Sequence, residues 1–257
     1  MVSNLFDLTG KVAVVVGASA GGLGERAARA LADHGASVAL ADLESQRPGL
    51  AESASACGPA ATTHGVDVTD ESSVAALADE VVAAHGRVDV VVNAAGIMLR
   101  REYDQTSLEE FERVVRVNLT GCWLVGREFG RRMAAQGGGR IVNFTTVYAE
   151  RVGPVPESAY YASKAGVVNV TRSLASELGR SGVTVNALAP AVFYPTAMTA
   201  PLAETPDRLQ WFADRTMLGR LGDPETDLAG PLVLLASPAS AYMTGQVIYV
   251  DGGWSAW

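Results

Sequence analysis

Cysteine is nearly absent from this chain: Cys57 and Cys122 are the only two in 257 residues, and they stand far apart. Such a pair cannot build the disulfide framework of a small secreted domain, so a reduced, cytoplasmic setting is expected. Long apolar runs are missing too. The first, Val12–Val16, stops at Gly17, too early for the core of a signal peptide, and no later run approaches a membrane span. Basic charge is in deficit, with 20 Lys and Arg against 28 Asp and Glu and a formal net charge of −8. That balance argues against nucleic acid or an anionic membrane as partner. It leaves room for a small acidic substrate, because local charge decides that case. Histidine is scarce, with His34, His64 and His85 all in the first third. No His/Cys/Asp cluster has metal-ligand spacing, and no metal is expected.

What is present reads as a globular α/β chain. Hydrophobic residues at 48% and charged residues at 19% exclude a disordered tail or a coiled coil, and the length permits a sizeable core. Short β-branched runs predict strands at 11–16, 37–41, 61–66, 88–92, 140–143, 183–188 and 246–250. Most are apolar on both faces, as a sheet covered on both sides requires. Helical patterns lie between them. Leu108, Phe111, Val115, Leu119, Cys122, Gly126, Phe129 and Met133 recur three or four apart, and so do Val167, Val170, Leu174 and Leu178. This alternation predicts a single-domain Rossmann fold over 1–257, a doubly wound parallel sheet of about seven strands with helices on both faces. Only 191–223, with Pro195, Pro201 and Pro206, lacks a pattern, and it is expected to form a flap beside a site.

The segment VVVGASAGGLGE admits two chemistries. Gly17-Ala18-Ser19-Ala20-Gly21 spells the elbow of a nucleophilic serine, which needs a triad in the order Ser, acid, His. Ser19, Asp42 and His64 satisfy that order formally. An elbow serine, however, follows several strands and an oxyanion-hole segment, whereas this one follows the first strand, and no late histidine exists. The second chemistry is a dinucleotide cradle, Gly22-Leu23-Gly24-Glu25-Arg26-Ala27. It needs a strand before, a helix after and an acid about twenty residues on. Asp42, closing the next strand, supplies the acid. The glycines let a diphosphate approach backbone amides at a helix N-terminus. Asp42 can accept hydrogen bonds from the adenosine ribose and repel a 2′-phosphate, which favours NAD over NADP. The cradle is the expected reading.

Tyr160 and Lys164 are four apart at the start of a predicted helix, on one face. A phenol titrates near ~10 in water, too high for a base at neutral pH. A neighbouring ammonium favours the phenolate, so the pair suits acid/base work on an alcohol or ketone.

With the glycine loop and this pair, several further motifs occur in order: Asn93-Ala94-Ala95-Gly96, Asn118 in VNLTG, Asn143-Phe144-Thr145-Thr146, Asn186-Ala187-Leu188-Ala189-Pro190 and TGQVIYVDGGW. Along essentially its whole length the sequence resembles the short-chain dehydrogenase/reductase family. The resemblance implies Tyr160 as catalytic acid/base, with Lys164 lowering its pKa and holding the nicotinamide ribose. It implies Thr146 bonding the substrate oxygen and Asn118 holding a proton-relaying water. Gly17, Ser19, Gly22, Leu23, Gly24, Asp42, Leu43, Asp67, Val68, Asn93, Ala94, Gly96, Pro190 and Thr196 would contact the cofactor, with Asp67 and its neighbours at the adenine. A homotetramer is implied as well, and the long apolar stripe from Leu108 to Met133 agrees with it.

The sequence departs from the family pattern at the site loops. Val16 replaces a threonine, and one extra residue falls between Gly17 and Gly22. Thr146 stands for a serine, with Thr145 as the other candidate hydroxyl. Ala191 replaces a glycine, and Thr196 sits one place late for the carboxamide-binding threonine.

For the substrate, Arg100 and Arg101 follow a predicted strand end, where arginine can bind a carboxylate bidentately. That pair, with NLFDLTGKVAVV and GRLGDPETDLAGP, resembles the family's sugar-acid branch, which includes gluconate 5-dehydrogenase and 2-deoxy-gluconate 3-dehydrogenase. Solvated loop charge, or pairing of the arginines with Glu102 or Asp104, is the bland alternative. Tyr148, Glu150 and Arg151 stand near a polar substrate or at the rim, and Ala191 near the substrate. Met198, Trp211, Phe212 and Met217 can instead line a pocket for a cyclic or terpenoid alcohol. The expectation is an NAD-dependent oxidoreductase interconverting a secondary alcohol and a ketone, with a sugar acid as substrate. The rival from another class is a non-catalytic NAD-binding scaffold or sensor.

Overall fold

The five apolar residues of β1 (Val12–Val16) are buried on both faces, a position open only to an inner strand of a covered sheet. In the computed structural model, which describes residues 4–256, β1 lies in the middle of that sheet. The elements that follow are α1 (Leu23–Asp33), β2 (Ser37–Asp42), α2 (Arg47–Ala56), β3 (Thr62–Gly65), α3 (Glu71–His85), β4 (Val90–Asn93), α4 (Leu108–Val115), α5 (Gly121–Ala135), β5 (Gly139–Phe144), α6 (Ser158–Leu178), β6 (Val183–Pro190), α7 (Pro206–Asp214), α8 (Ala229–Ala236) and β7 (Val247–Val250). Each predicted strand is present, its ends displaced by no more than one or two residues.

All neighbouring strands pair in parallel, in the order β3-β2-β1-β4-β5-β6-β7. The chain winds outward from β1 to β3 and then returns to place β4 on the other side of β1. Alternate residues feed two cores. Ala13 and Val15 face Leu31 of α1, Leu50 of α2 and Leu232 of α8. Val12, Val14 and Val16 face Leu77 of α3, Phe129 of α5 and Leu174 of α6. This is the doubly wound α/β architecture, and the reversal between β1 and β4 opens a crevice at their carboxyl ends. Among the described residues no helix is long and apolar enough to cross a membrane.

Two expectations need correction. The stripe from Leu108 to Met133 is not one helical face, because a wide π turn at Arg116–Thr120 joins α4 to α5. The wider turn rotates the residues before it relative to those after it. Cys122, Phe129 and Met133 are buried, whereas Leu108 is 72% exposed and Val114 is the residue of α4 that is buried. Leu108 and Trp123 remain exposed along this stretch. The second correction is that 191–223 is partly regular. It contains the single 3-10 stretch Ala200–Glu204 and α7, and a bridge between Phe193 and Gly222 ties its ends together. Three prolines and the adjacent rather than spaced Trp211 and Phe212 hide α7 from periodicity.

Candidate active site and cofactor cleft

The loop after β1 is shaped by two glycines that nothing larger can replace. A β-carbon on Gly17 would lie 2.5 Å from the Ala95 amide nitrogen, and one on Gly24 would run into the Gly17 carbonyl. Loop, β4 end and first turn of α1 are thereby in backbone contact. Gly22 is the residue preceding α1, with ordinary extended backbone and nothing closer than 3.7 Å to a β-carbon there. Gly21, just before it, takes φ +85° and makes a left-handed turn. Glu25 accepts from the Gly21 amide at 2.6 Å, and the Gly21 carbonyl accepts from Ala197 at 2.7 Å, tying the loop to the 191–223 segment.

Gly17, Ser19, Gly22 and Leu23 line a cleft of about 1340 Å³. Gly24 lies behind the loop rather than in it. Asp42, at the end of β2, accepts from the Ser19 and Leu43 amides at 3.0 and 2.8 Å and lines the same cleft. Farther along the wall are Leu43, Asp67 and Val68. The Asp67 carboxylate is engaged by the Thr69 amide and hydroxyl at 2.9 and 2.7 Å. Ala94 and Gly96 form the floor with Pro190, while Asn93 is buried beneath it. Thr196 lines the opposite side, its hydroxyl 2.8 Å from that of Thr199. These features fit a dinucleotide: close backbone packing at a helix N-terminus for the diphosphate, and a carboxylate at the next strand end for a ribose.

Deeper in, the side chains of the expected chemistry converge. Thr145 and Thr146 follow β5 directly. The Thr145 hydroxyl donates to the Lys164 carbonyl at 3.0 Å and so serves α6 packing. The Thr146 hydroxyl donates to the Pro190 carbonyl and accepts from the Tyr148 amide, each at 3.4 Å, and Thr146 rather than Thr145 lines the cavity beside Tyr160. Lys164 Nζ donates to the Phe144 carbonyl at 2.8 Å and sits 5.9 Å from the Tyr160 ring centre. Burial lowers the Lys164 pKa to about 8. The Tyr160 phenol is pushed up, chiefly by burial and then by the Glu157 carboxylate, while Thr146 pulls it down. The leading influences on the phenol are thus burial and Glu157, and the Lys164 amine is directed at the Phe144 carbonyl.

Asn118 sits in the π turn, 1% exposed. Its Oδ1 accepts from the Ile97 amide at 2.8 Å, and its Nδ2 donates to the Ile97 carbonyl and the Ser163 hydroxyl at 2.9 and 3.0 Å. The side chain clamps the segment after β4 onto α6. A π turn points a residue inward without breaking the helix, and no periodicity in the sequence signals it.

A smaller cavity of about 90 Å³ opens beside Tyr160 and Thr146. Arg100 and Tyr148 line it, as do Met198 and Phe212. Ala191 lines it too, its amide donating to Val250 at 3.1 Å. Trp211 packs instead on Trp254 and under Arg215, and Met217 is half-exposed outside. Arg100 pairs with neither Glu102 nor Asp104: its Nε donates to Glu157 at 2.8 Å. Arg101 turns away to Glu110 at 2.7 Å. The Tyr148 hydroxyl is buried without a hydrogen-bond partner among the described residues. Glu150 and Arg151 hold the rim, bonded to Tyr249 at 2.7 Å and to the Ser255 carbonyl at 2.5 Å. Sequence reasoning missed Glu157, whose only signal was an acidic residue three before the tyrosine. It also missed Gly49 of α2, where a β-carbon would strike the Ser19 hydroxyl.

Residues 17–255 match a family model, adh_short_C2, described as "Enoyl-(Acyl carrier protein) reductase". The chain is 38% identical to galactitol 2-dehydrogenase (L-tagatose-forming) of Cereibacter sphaeroides, over 98% of each chain. It is 39% identical to cis-4-hydroxycyclohexanecarboxylate dehydrogenase of Sinomonas cyclohexanicum, over 96% of this chain and 97% of the other. The crystal structure of a gluconate 5-dehydrogenase from Burkholderia cenocepacia, in complex with NADP and tartrate, superposes with a TM-score of 0.91 at 33% identity and 98% coverage of both chains.

Proposed function

The chain belongs to the short-chain dehydrogenase/reductase family, an oxidoreductase of alcohol and ketone groups using a nicotinamide cofactor, and from that premise we propose that it oxidises or reduces a sugar acid with NAD(H). The observation that carries the substrate reading is the cavity beside Tyr160, where Arg100 and the unpartnered Tyr148 hydroxyl supply donors for an oxygen-rich anion. A cyclic alcohol is the second reading, favoured by the apolar wall of Met198, Leu202 and Phe212.

In alcohol oxidation the Tyr160 phenolate would take the hydroxyl proton, and in ketone reduction the phenol would return it to the same oxygen. Thr146 would hold that oxygen through its hydroxyl. Lys164 and Asn118 would keep the floor in place, Lys164 through Phe144 and Asn118 through Ile97. Gly17, Ser19, Gly22 and Leu23 would hold the cofactor's diphosphate, Asp42 its adenosine ribose, Asp67 and Val68 its adenine, and Thr196 with Pro190 its nicotinamide. The nicotinamide, when bound, supplies the hydride acceptor or donor.

NAD is preferred in this reading because Asp42 ends β2 with a carboxylate, which repels a 2′-phosphate. Arg47, the nearest arginine in sequence, is held by Glu44 at 2.6 and 2.9 Å. The relative with bound NADP makes this the point to measure. Turnover of aldonates, alditols and cyclic alcohols with NAD and with NADP tests the proposal. Preference for NADP would overturn the cofactor reading, and turnover confined to neutral alcohols the substrate reading. Tight NADH binding without turnover of any alcohol would favour a scaffold. A homotetramer, proposed on family likeness, is tested by light scattering.

A further inference from the structure

Glu157 is a carboxylate 4% exposed, at the residue preceding α6 and three before Tyr160. Burying a charge is costly unless it is paired, so a carboxylate kept here implies partners that need it. One is Arg100, whose Nε reaches it at 2.8 Å. Arg208, an exposed residue of α7, lines the same cavity and draws the Glu157 carboxyl down. The phenols of Tyr148, Tyr160 and Tyr161 complete its titratable surroundings. Of the residues lining the small cavity, only Arg100, Arg208 and Glu157 carry charge. Two cations and one anion leave a single positive charge.

We propose that Glu157 is a positioning residue that sets the charge of the substrate end, holding Arg100 by its Nε so that the Arg100–Glu157–Arg208 group matches a substrate bearing one carboxylate and disfavours one bearing two. The proposal rests on the sugar-acid reading for its substrate. A second consequence does not need the sugar-acid reading. Glu157 is one helical turn from Tyr160, so its negative charge opposes the phenolate. Burial pushes the Glu157 carboxyl up and Arg100 pulls it down. Around Tyr160 itself, Glu157 and Tyr161 raise the phenol while Thr146 and Arg100 lower it.

The test is Glu157→Gln, which keeps size and an acceptor oxygen but removes the charge. Its kcat/KM ratio for aldarates over aldonates should rise on the order of tenfold, carried by KM, and Glu157→Asp should return the ratio toward wild type. The Tyr160 ionisation, read by ultraviolet titration against Tyr160→Phe, should move to lower pH. An unchanged ratio with an unmoved titration overturns the role of Glu157 while leaving aldonate turnover by wild type intact. If wild type turns over only neutral alcohols, the sugar-acid reading and the charge match fall together, and the titration alone decides the effect on Tyr160. Should Glu157→Gln not fold, Arg208→Ala makes the group neutral, and preference should move from aldonates toward alditols; no such move overturns the proposal.

Discussion

Asn118 grips Ile97 by both ends of its amide, accepting from the Ile97 nitrogen at 2.8 Å and donating to the Ile97 oxygen at 2.9 Å. A strand partner would make the same two bonds, so one side chain here extends the pairing of β4 beyond its last residue. Replacing Asn118 by Ala strands both Ile97 groups, while the Ser163 hydroxyl keeps its bond to the Tyr160 carbonyl at 2.7 Å. The expected cost is about 2 kcal/mol or more, and Tm should fall by roughly 4–8 °C in a thermal melt. Turnover should fall with it, because the segment that Asn118 holds leads to Arg100.

The loop glycines should not respond alike. Gly24→Ala places a methyl against the Gly17 carbonyl, a backbone atom that cannot move aside. We expect a loss of about 1–3 kcal/mol and NADH binding weakened at least tenfold by fluorescence titration. Gly22→Ala meets nothing of the chain closer than 3.7 Å, so its stability should stay within about 0.5 kcal/mol of wild type. Gly21→Ala should fall between, since φ +85° costs a β-carbon about 1 kcal/mol. Equal effects at 22 and 24 would mean that the loop is arranged differently.

Tyr160→Phe should lower kcat by roughly 10²–10⁴-fold with NADH affinity retained. Tyr161→Phe should keep turnover. Its hydroxyl donates to the Val155 carbonyl at 2.9 Å, so the loss should appear in Tm, at about 1 kcal/mol. Full activity in Tyr160→Phe would remove the phenol from the mechanism.

Lys164 gives a pH signature. Its folded pKa, lowered by burial to about 8, lies below the unfolded value of 10.5. Between those values the unfolded chain binds the extra proton, so this group's contribution to stability rises with pH across that window and is lost as pH falls through about 8. Denaturant titrations of wild type and Lys164→Met should therefore diverge as the pH is raised through this range. Parallel profiles would show that the amine is not desolvated.

Local chemistry made much of this protein readable before any coordinates. Apolar runs covered on both faces specify inner parallel strands, and glycines after the first strand, an acid at the second and a tyrosine–lysine pair at helical spacing name the cofactor cleft and its chemistry. Each signal lies within a few residues, where period and φ/ψ preference act. The π turn at Asn118, the left-handed turn at Gly21 and the placing of Thr146 rather than Thr145 on the Tyr160 cavity needed the folded chain, because each depends on what packs opposite. So did the partner of Arg100. Glu102 and Asp104 are closer in sequence, yet the guanidinium finds Glu157, 57 residues on. Sequence determined which groups this protein owns. Tertiary structure decided which of them are buried together, and burial sets the strength of every charge and hydrogen bond at the site.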